Sequence, residues 1–467
     1  MTARAGADPP TPVRPAGRVA IRPADVPAPV LHYSPAVKAG GWIFVSGQMA
    51  TDFRSGLAPE ARLDDSIAYR GEPLETEARY VMRNVEATLA DAGVDLATDV
   101  VRIYQWYASP HPTMDELAAG NAWPRMSNSP YHRVRNELMR QPQPASTSVT
   151  VRRLPVPGAI LGVDVIAFEP SLGESIGFPA PDDVPAPLSK YSPALRRGDW
   201  IFLAGEIPTD WSGDFGRDDH HGEPSALALE ARLNPYIWYG SEIEVQTDYT
   251  LQKLARIAES AGTSLERCVR AEVYLGHPND WTGMERAWRR WFGENPPARV
   301  IVPYTGLGGR GARIEIALTL LADDSDLRIE TIETSDAPEP VGHEPQAVRA
   351  GDFVFFSSLL PVDGQGAVPP LLRRDPRFPY YSVPARAQIE AIFDNAAAIC
   401  EAAGTSLSNA CRGQLFLDQL DNLPQTLDAW CATFPTDPPA SAAVEVGGPL
   451  IASGAHLMLD LIVYAGG

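Results

Sequence analysis

The chain has 467 residues, 44% of them hydrophobic, and carries 39 basic against 59 acidic side chains for a formal net charge of -20. That balance argues against nucleic acid and anionic membrane surfaces as partners, both of which need a basic face, and no apolar run reaches the ~18 residues of a membrane span. A chain of this length suggests about three domains, an N-terminus without an apolar signal core reads as cytoplasmic, and an anionic substrate would need a locally placed cation.

Residues 1 to 17, rich in Pro, Ala and Gly, read as disordered. A phrase then recurs three times in register: Asp25-Val-Pro-Ala-Pro29, Asp183-Val-Pro-Ala-Pro187 and Asp336-Ala-Pro-Glu-Pro340. Eight residues after each Asp stand Tyr33, Tyr191 and Glu344, and a strand follows each: Trp42-Ile-Phe-Val-Ser-Gly47, Trp200-Ile-Phe-Leu-Ala-Gly205 and Phe353-Val-Phe-Phe-Ser-Ser358. This register establishes an internal repeat. A long loop comes next, ending at Tyr69-Arg70, Tyr239-Gly240 and Tyr381-Ser382; its tyrosines, with Trp238, read as anchors of the loop or as a lid over a cleft.

An amphipathic helix follows, with Leu251, Leu254, Ile257 and Ala258 at three- and four-residue steps before Gly262. Then come a strand (Cys268-Val-Arg-Ala-Glu-Val-Tyr-Leu275 in the second copy), a second helix around Met284-Glu-Arg-Ala-Trp288, and a segment opening on Pro-Ala. The order per repeat is strand, strand, helix, strand, helix, strand, strand, an α+β sandwich with helices on one sheet face.

The Pro-Ala segment of the second copy, Pro296-Pro-Ala-Arg299, is followed by Gly306-Leu-Gly-Gly-Arg-Gly311 and then by Arg313-Ile-Glu-Ile316. The glycines read as the turn of an antiparallel hairpin, which would bring Arg299 and Glu315 together on one face of the sheet. In the other copies serine replaces the arginine (Ser146, Ser441), and Gly162 and Met458 replace the glutamate. The hairpin pattern persists without the charges, so the charges point to chemistry rather than to folding.

Cys268, Cys400, Cys411 and Cys431 form no CxxC pair and read as buried reduced thiols. His220-His221, in a polar loop without a third ligand nearby, reads as solvated rather than as a metal site.

Tyr-Ser-Pro-Ala, Gly-Asp-Trp-Ile-Phe-Leu-Ala-Gly, Ala-Gly-Thr-Ser-Leu, Pro-Pro-Ala-Arg and Arg-Ile-Glu-Ile, in this order, resemble the Rid family of reactive-intermediate (imine) deaminases, the YjgF-like proteins. The resemblance covers nearly the whole chain as three tandem copies: 18–170, 171–322 with the arginine and glutamate intact, and 323–467. It implies chorismate-mutase-like α+β domains. Family members form homotrimers with clefts between subunits, so three fused copies would close their own ring as a monomeric pseudo-trimer, or assemble into a low-order homo-oligomer.

The resemblance further implies an arginine that clamps a substrate carboxylate, a glutamate that positions water, and a tyrosine and glycine lining the cleft. These carry over onto Arg299, Glu315, Tyr191 and Gly205, with Tyr33 as the alternative tyrosine if the cleft of Arg299 is completed by the first copy. The function implied is hydrolysis of a small carboxylate-bearing imine or enamine to ammonia and a 2-keto acid in one competent cleft, with no metal or organic cofactor. The alternatives are a chorismatase-like reaction on a related unsaturated acid, a noncatalytic carboxylate binder, and a purely structural pseudo-trimer.

Overall fold

Each repeat builds one six-stranded sheet with the same strand order. The computed structural model describes residues 17–63, 71–108, 128–187, 189–211, 227–234, 236, 239–306, 308–309, 311–374 and 384–466. The expected disorder of the N-terminus, His220-His221, and the loop aromatics Tyr69, Trp238 and Tyr381 fall outside these residues, whereas Tyr239 is described and exposed.

The first repeat comprises β1 (Arg18–Ile21), β2 (Ala36–Ala39), β3 (Trp42–Met49), α1 (Pro73–Asp91), β4 (Val100–Ala108), α2 (Ser129–Leu138), β5 (Ala145–Val151) and β6 (Leu161–Phe168), in sheet order β1-β2-β3-β6-β4-β5. The second comprises β7 (Ile176–Phe178), β8 (Ala194–Arg197), β9 (Trp200–Glu206), α3 (Glu242–Ser260), β10 (Cys268–Leu275), α4 (Trp281–Trp291), β11 (Ala298–Pro303) and β12 (Ile314–Leu321). The third comprises β13 (Ile329–Ile332), β14 (Ala347–Ala350), β15 (Phe353–Phe356), α5 (Pro384–Ala402), β16 (Ala410–Leu417), α6 (Leu423–Thr433), β17 (Ala440–Glu445) and β18 (Leu457–Tyr464).

The helices form where an apolar stripe meets good ends. In α3, Ser241 caps the N-terminus by accepting from the Glu244 amide, and Gly262 just beyond the end adopts φ +77°, a conformation costly for other residues. Ile243, Leu251, Leu254, Ile257 and Ala258 pack onto the outer face of their sheet. Comparable layers lie on the outer faces of the other two sheets.

The expected hairpin does not form. The last two strands of the second repeat flank β10, with β11 parallel to it and β12 antiparallel. Helix α4 returns the chain so that β11 runs alongside β10, and residues 304–313 then carry it to the other side of that strand. One strand more than expected opens each repeat.

The inner faces of the three sheets share one core, in which the equivalent residues Trp42, Trp200 and Phe353 meet, with ring centroids 4.8 Å (Trp42–Trp200) and 4.7 Å (Trp42–Phe353) apart. Beside it lies a buried ionic layer drawn from all three repeats. Arg102 pairs with Glu272 at 2.8 Å, Arg270 with Asp460 at 2.7 Å, and Arg412 with both Asp460 at 2.8 Å and Asp164 at 3.0 Å. Burial pushes the Glu272 carboxyl up, but Arg270, Arg102 and Arg412 outweigh it and hold the group at about 2. Removing one partner of such a layer leaves a buried charge uncompensated, at a cost of about 3–5 kcal/mol.

The ring closes edge to face: β5 packs against β9, β11 against β15 and β17 against β3. Three of the four cysteines are buried, while Cys431 is exposed on the outer surface of α6 and departs from the expected pattern.

Candidate functional site

Closing the ring creates three clefts, each between the arginine-position strand of one repeat and the tyrosine and glycine positions of the next. The first lies between repeats 1 and 2, the second between 2 and 3, the third between 3 and 1. Arg299 and Glu315 therefore do not share a site. In the register with β10, Arg299 is opposite Ala271 and Glu315 opposite Tyr274. They sit on either side of that strand, roughly 14 Å apart at Cα by standard strand spacings, and on opposite faces of the sheet. The neighbours of Arg299, Ala298 and Val300, belong to the inner core, whereas those of Glu315, Ile314 and Ile316, belong to the helix layer.

Arg299 reaches the second cleft, and that cleft is filled. Its guanidinium Nη2 binds Glu285 of α4 at 2.7 Å and also Glu344, the residue at the tyrosine position of repeat 3. The indoles of Trp288 and Trp281 stack on it at 4.6 and 5.3 Å. Backbone pairing seals the edge: the Ser357 hydroxyl accepts from the Arg299 amide at 3.1 Å, and the Ser358 amide donates to the Arg299 carbonyl at 2.9 Å. The Glu344 carboxylate thus occupies the guanidinium that was expected to clamp a substrate carboxylate. Neither Tyr33 nor Tyr191 contributes here.

Glu315 belongs to the first cleft, with Gly205 and Tyr191. A Cβ built on Gly205 would lie 1.9 Å from Glu315 Oε1 and 3.0 Å from Thr147 Oγ1, so glycine is required for the carboxyl to lie against this strand. Gly205 has an ordinary φ, and the requirement is one of space rather than of backbone strain. Burial, then the neighbouring Glu206, push the Glu315 carboxyl up to about 8, against the smaller pull of Arg102 and the Ser148 backbone amide. Glu206 pairs with buried Lys253 at 2.7 Å. At neutral pH Glu315 is chiefly a protonated acid able to donate a hydrogen bond.

The cation of the first cleft comes from a residue that sequence reasoning missed. Arg135 of α2 is buried; its Nη1 donates to Ser146 Oγ at 3.3 Å, and its Nη2 donates to the Lys190 carbonyl at 2.7 Å and to Ser189 Oγ at 3.3 Å. Its Nε is buried without a partner, and among the described residues it meets no carboxylate. His132 beside it cannot share the charge problem, since burial, then Arg135 itself, hold its imidazole at about 3 and hence neutral. Tyr191 lies within the electrostatic reach of Arg135, Glu315 and Glu206 together, and burial above all holds its phenol protonated.

Arg135 stands eleven residues before Ser146, the same spacing that separates Trp288 from Arg299. A guanidinium supplied by the strand in repeat 2 is supplied by the helix in repeat 1. That spacing was visible in the sequence, but a single arginine in a polar helix carries no motif.

The third cleft contains Tyr33, Gly47, Gly162 and Ser441, and no Asp, Glu, Lys or Arg lines it among the described residues. Among the described residues, no group of three or more His, Cys, Asp or Glu side chains could hold a metal ion.

Residues 24–169 and 182–321 match the family model described as Endoribonuclease L-PSP. This chain belongs to that family, the Rid family. A RutC family protein of Pyrococcus horikoshii is 31% identical over 127 residues, which cover 27% of this chain and 82% of the relative. The 3-aminoacrylate deaminase RutC of Acinetobacter baylyi is 27% identical over 137 residues, covering 29% of this chain and 90% of the relative. A chorismatase crystal structure aligns over 78% of this chain and 93% of its own, with 12% identity and a TM-score of 0.47. The third repeat lies outside the family match, yet its strand order places it with the two Rid repeats before it.

Proposed function

We propose that the first cleft is the working Rid site and that it hydrolyses a small carboxylate-bearing imine or enamine. The observation that carries this reading is a buried guanidinium that meets no carboxylate among the described residues, Arg135, facing the same tyrosine as a carboxyl held near neutrality, Glu315. An uncompensated buried cation calls for an anion, and a planar guanidinium grips a carboxylate in a fixed orientation.

With the carboxylate so held, Glu315 gives its proton to the imine nitrogen and forms an iminium. The resulting carboxylate takes a proton from the water that attacks the iminium carbon. Returning that proton to the amino group of the carbinolamine lets ammonia leave, and the hydroxyl gives its proton back to the Glu315 carboxylate as the carbonyl forms. A pKa of about 8 suits a group that must both give and accept a proton near neutrality. One relative is named a 3-aminoacrylate deaminase, and 3-aminoacrylate is a carboxylate-bearing enamine, which supports including that class beside 2-imino acids. Arg299, expected as the clamp, is assigned a structural role because its guanidinium is already occupied by Glu344 and Glu285.

The test is ammonia release from 2-iminopropionate generated in situ. Wild type should accelerate release; Glu315→Gln and Gly205→Ala should lose the acceleration while remaining folded; Arg299→Ala should keep it per folded molecule. Retained activity in Glu315→Gln, or loss confined to Arg299→Ala, overturns the assignment.

A further inference from the structure

The third cleft is a space that the proposed reaction does not use, and its chemistry differs from that of the other two. Its enclosed part is about 50 Å³ and opens onto solvent, the wider space of about 630 Å³ including that solvent, so a ligand here would be held partly in the open. It occupies the position of the ligand cleft in the ring, with Tyr33 and Gly47 contributed by repeat 1 and the strand around Ser441 contributed by repeat 3.

Where repeat 2 has Arg299 there is Ser441; where it has Glu315 there is Gly162; and among the described residues no Asp, Glu, Lys or Arg lines the space. The volume released by both shortened side chains is walled by Trp106, Trp430, Met49, Leu154, Leu415 and Val444. A carboxylate entering this cleft would lose its water and gain no partner, which is strongly unfavourable. A flat apolar molecule would instead gain area against two indoles.

The polar groups at the wall are mostly committed. The Trp430 indole donates to the His32 carbonyl at 2.7 Å, the Trp106 indole to Asp164 at 2.6 Å, and the Thr426 hydroxyl to the Leu423 carbonyl at 2.8 Å. The His32 ring nitrogen lies 2.6 Å from the Phe434 carbonyl oxygen. The hydroxyls of Tyr33 and Ser441 make no hydrogen bond among the described residues, and remain to receive a ligand. Burial keeps the Tyr33 phenol protonated, so it is offered as a neutral donor and acceptor.

We propose that the third cleft is a second binding site, for an uncharged aromatic molecule of one or two rings carrying a single hydroxyl or carbonyl group. It is independent of the first cleft: one site takes an anion through Arg135, and the other excludes anions.

The experiment titrates the full-length chain with 2-naphthol and with its charged counterpart 2-naphthoate, followed by calorimetry and by the emission of Trp106 and Trp430. The expected result is saturable 2-naphthol binding, at least tenfold weaker binding of 2-naphthoate, and at least tenfold weaker 2-naphthol binding in Gly162→Leu. A Cβ at Gly162 meets Leu154 at 3.4 Å and Trp106 at 3.6 Å, ordinary contacts that leave the backbone undisturbed while the added side chain fills the cleft. Should Gly162→Leu fail to fold, Ser441→Arg provides the reading, since an arginine there should reverse the preference in favour of 2-naphthoate. Absence of saturable 2-naphthol binding overturns the proposal, as does equal affinity for the two probes. Undiminished binding in folded Gly162→Leu, or an unchanged preference in Ser441→Arg, overturns it as well.

Discussion

Arg135 and Trp288 occupy one position in two repeats and make the same anchoring contact. Arg135 Nη2 donates to the carbonyl of Lys190 at 2.7 Å, Trp288 Nε1 to that of His343 at 3.1 Å, and each acceptor immediately precedes the tyrosine position of the next repeat. Trp430 repeats the contact with His32. In repeat 2 the helix supplies an indole and the strand a guanidinium; in repeat 1 the helix supplies the guanidinium and the strand a serine.

If Arg135 is the anion clamp of the first cleft, Arg135→Met should weaken binding of a small 2-keto acid such as pyruvate by roughly 10- to 100-fold, the scale of a lost charge-assisted hydrogen bond. Its thermal stability should change little, because the lost hydrogen bonds are offset by removal of an uncompensated buried charge. Arg135→Lys should be intermediate, lacking the planar fork. Calorimetric titration with pyruvate checks this, and equal affinity across the three proteins would exclude the role.

The sealed second cleft predicts a different pattern. Arg299→Ala should destabilise the chain by about 3–5 kcal/mol through the buried carboxylate left behind, and Glu344→Ala by less, because Glu285 still pairs with the guanidinium. The double variant Arg299→Ala/Glu344→Ala should be less destabilised than the two losses added together. Urea denaturation of the four proteins measures the coupling.

Glu315 makes stability depend on pH with a definite sign. Its folded-state value of about 8 lies above the ordinary 4.5, so between these values the folded state holds a proton that the unfolded state has lost. The contribution is fully present below about 4.5 and disappears as pH rises through about 8. The neighbouring Glu206, itself paired with Lys253, adds to the upward push on Glu315, and the facing phenols of Tyr191, Tyr274 and Tyr304 remain neutral throughout. Glu315→Gln should therefore become progressively more stable than wild type from pH 6 to pH 9 in parallel thermal melts; a pH-independent difference would show that the carboxyl is not held protonated.

The central ionic layer should be the most sensitive polar feature of the fold. Asp460 serves both Arg270 and Arg412, so Asp460→Asn should lower stability by about 3 kcal/mol or more. An effect below 1 kcal/mol in chemical denaturation would show that the layer tolerates an unbalanced charge.

The triplication and most elements were legible because each repeat carries the same punctuation: the Asp-x-Pro phrase, the aromatic strand, and the glycine after the first helix. Strand pairing was less so. The glycines between Pro303 and Ile314 resemble a tight turn, and nothing local records that β10 lies between the strands they join. Parity offered a clue to the opposite facing of Arg299 and Glu315, since apolar neighbours bracket each. Which neighbours face the shared core, however, is decided only by the closed ring. The occupation of Arg299 by Glu344 and the approach of Arg135 to Ser146 join segments on different elements, beyond the reach of any local pattern.

Glu344 gives the second cleft an unusual consequence. Tethered by the fold, it presents its carboxylate to Arg299 at an effective concentration that a free ligand would have to match at millimolar levels or above. The chain thus carries its own carboxylate at one of three equivalent positions. In a symmetric homotrimer a mutation of this kind would silence every address at once; on a single fused chain it silences one and leaves its neighbours free to diverge.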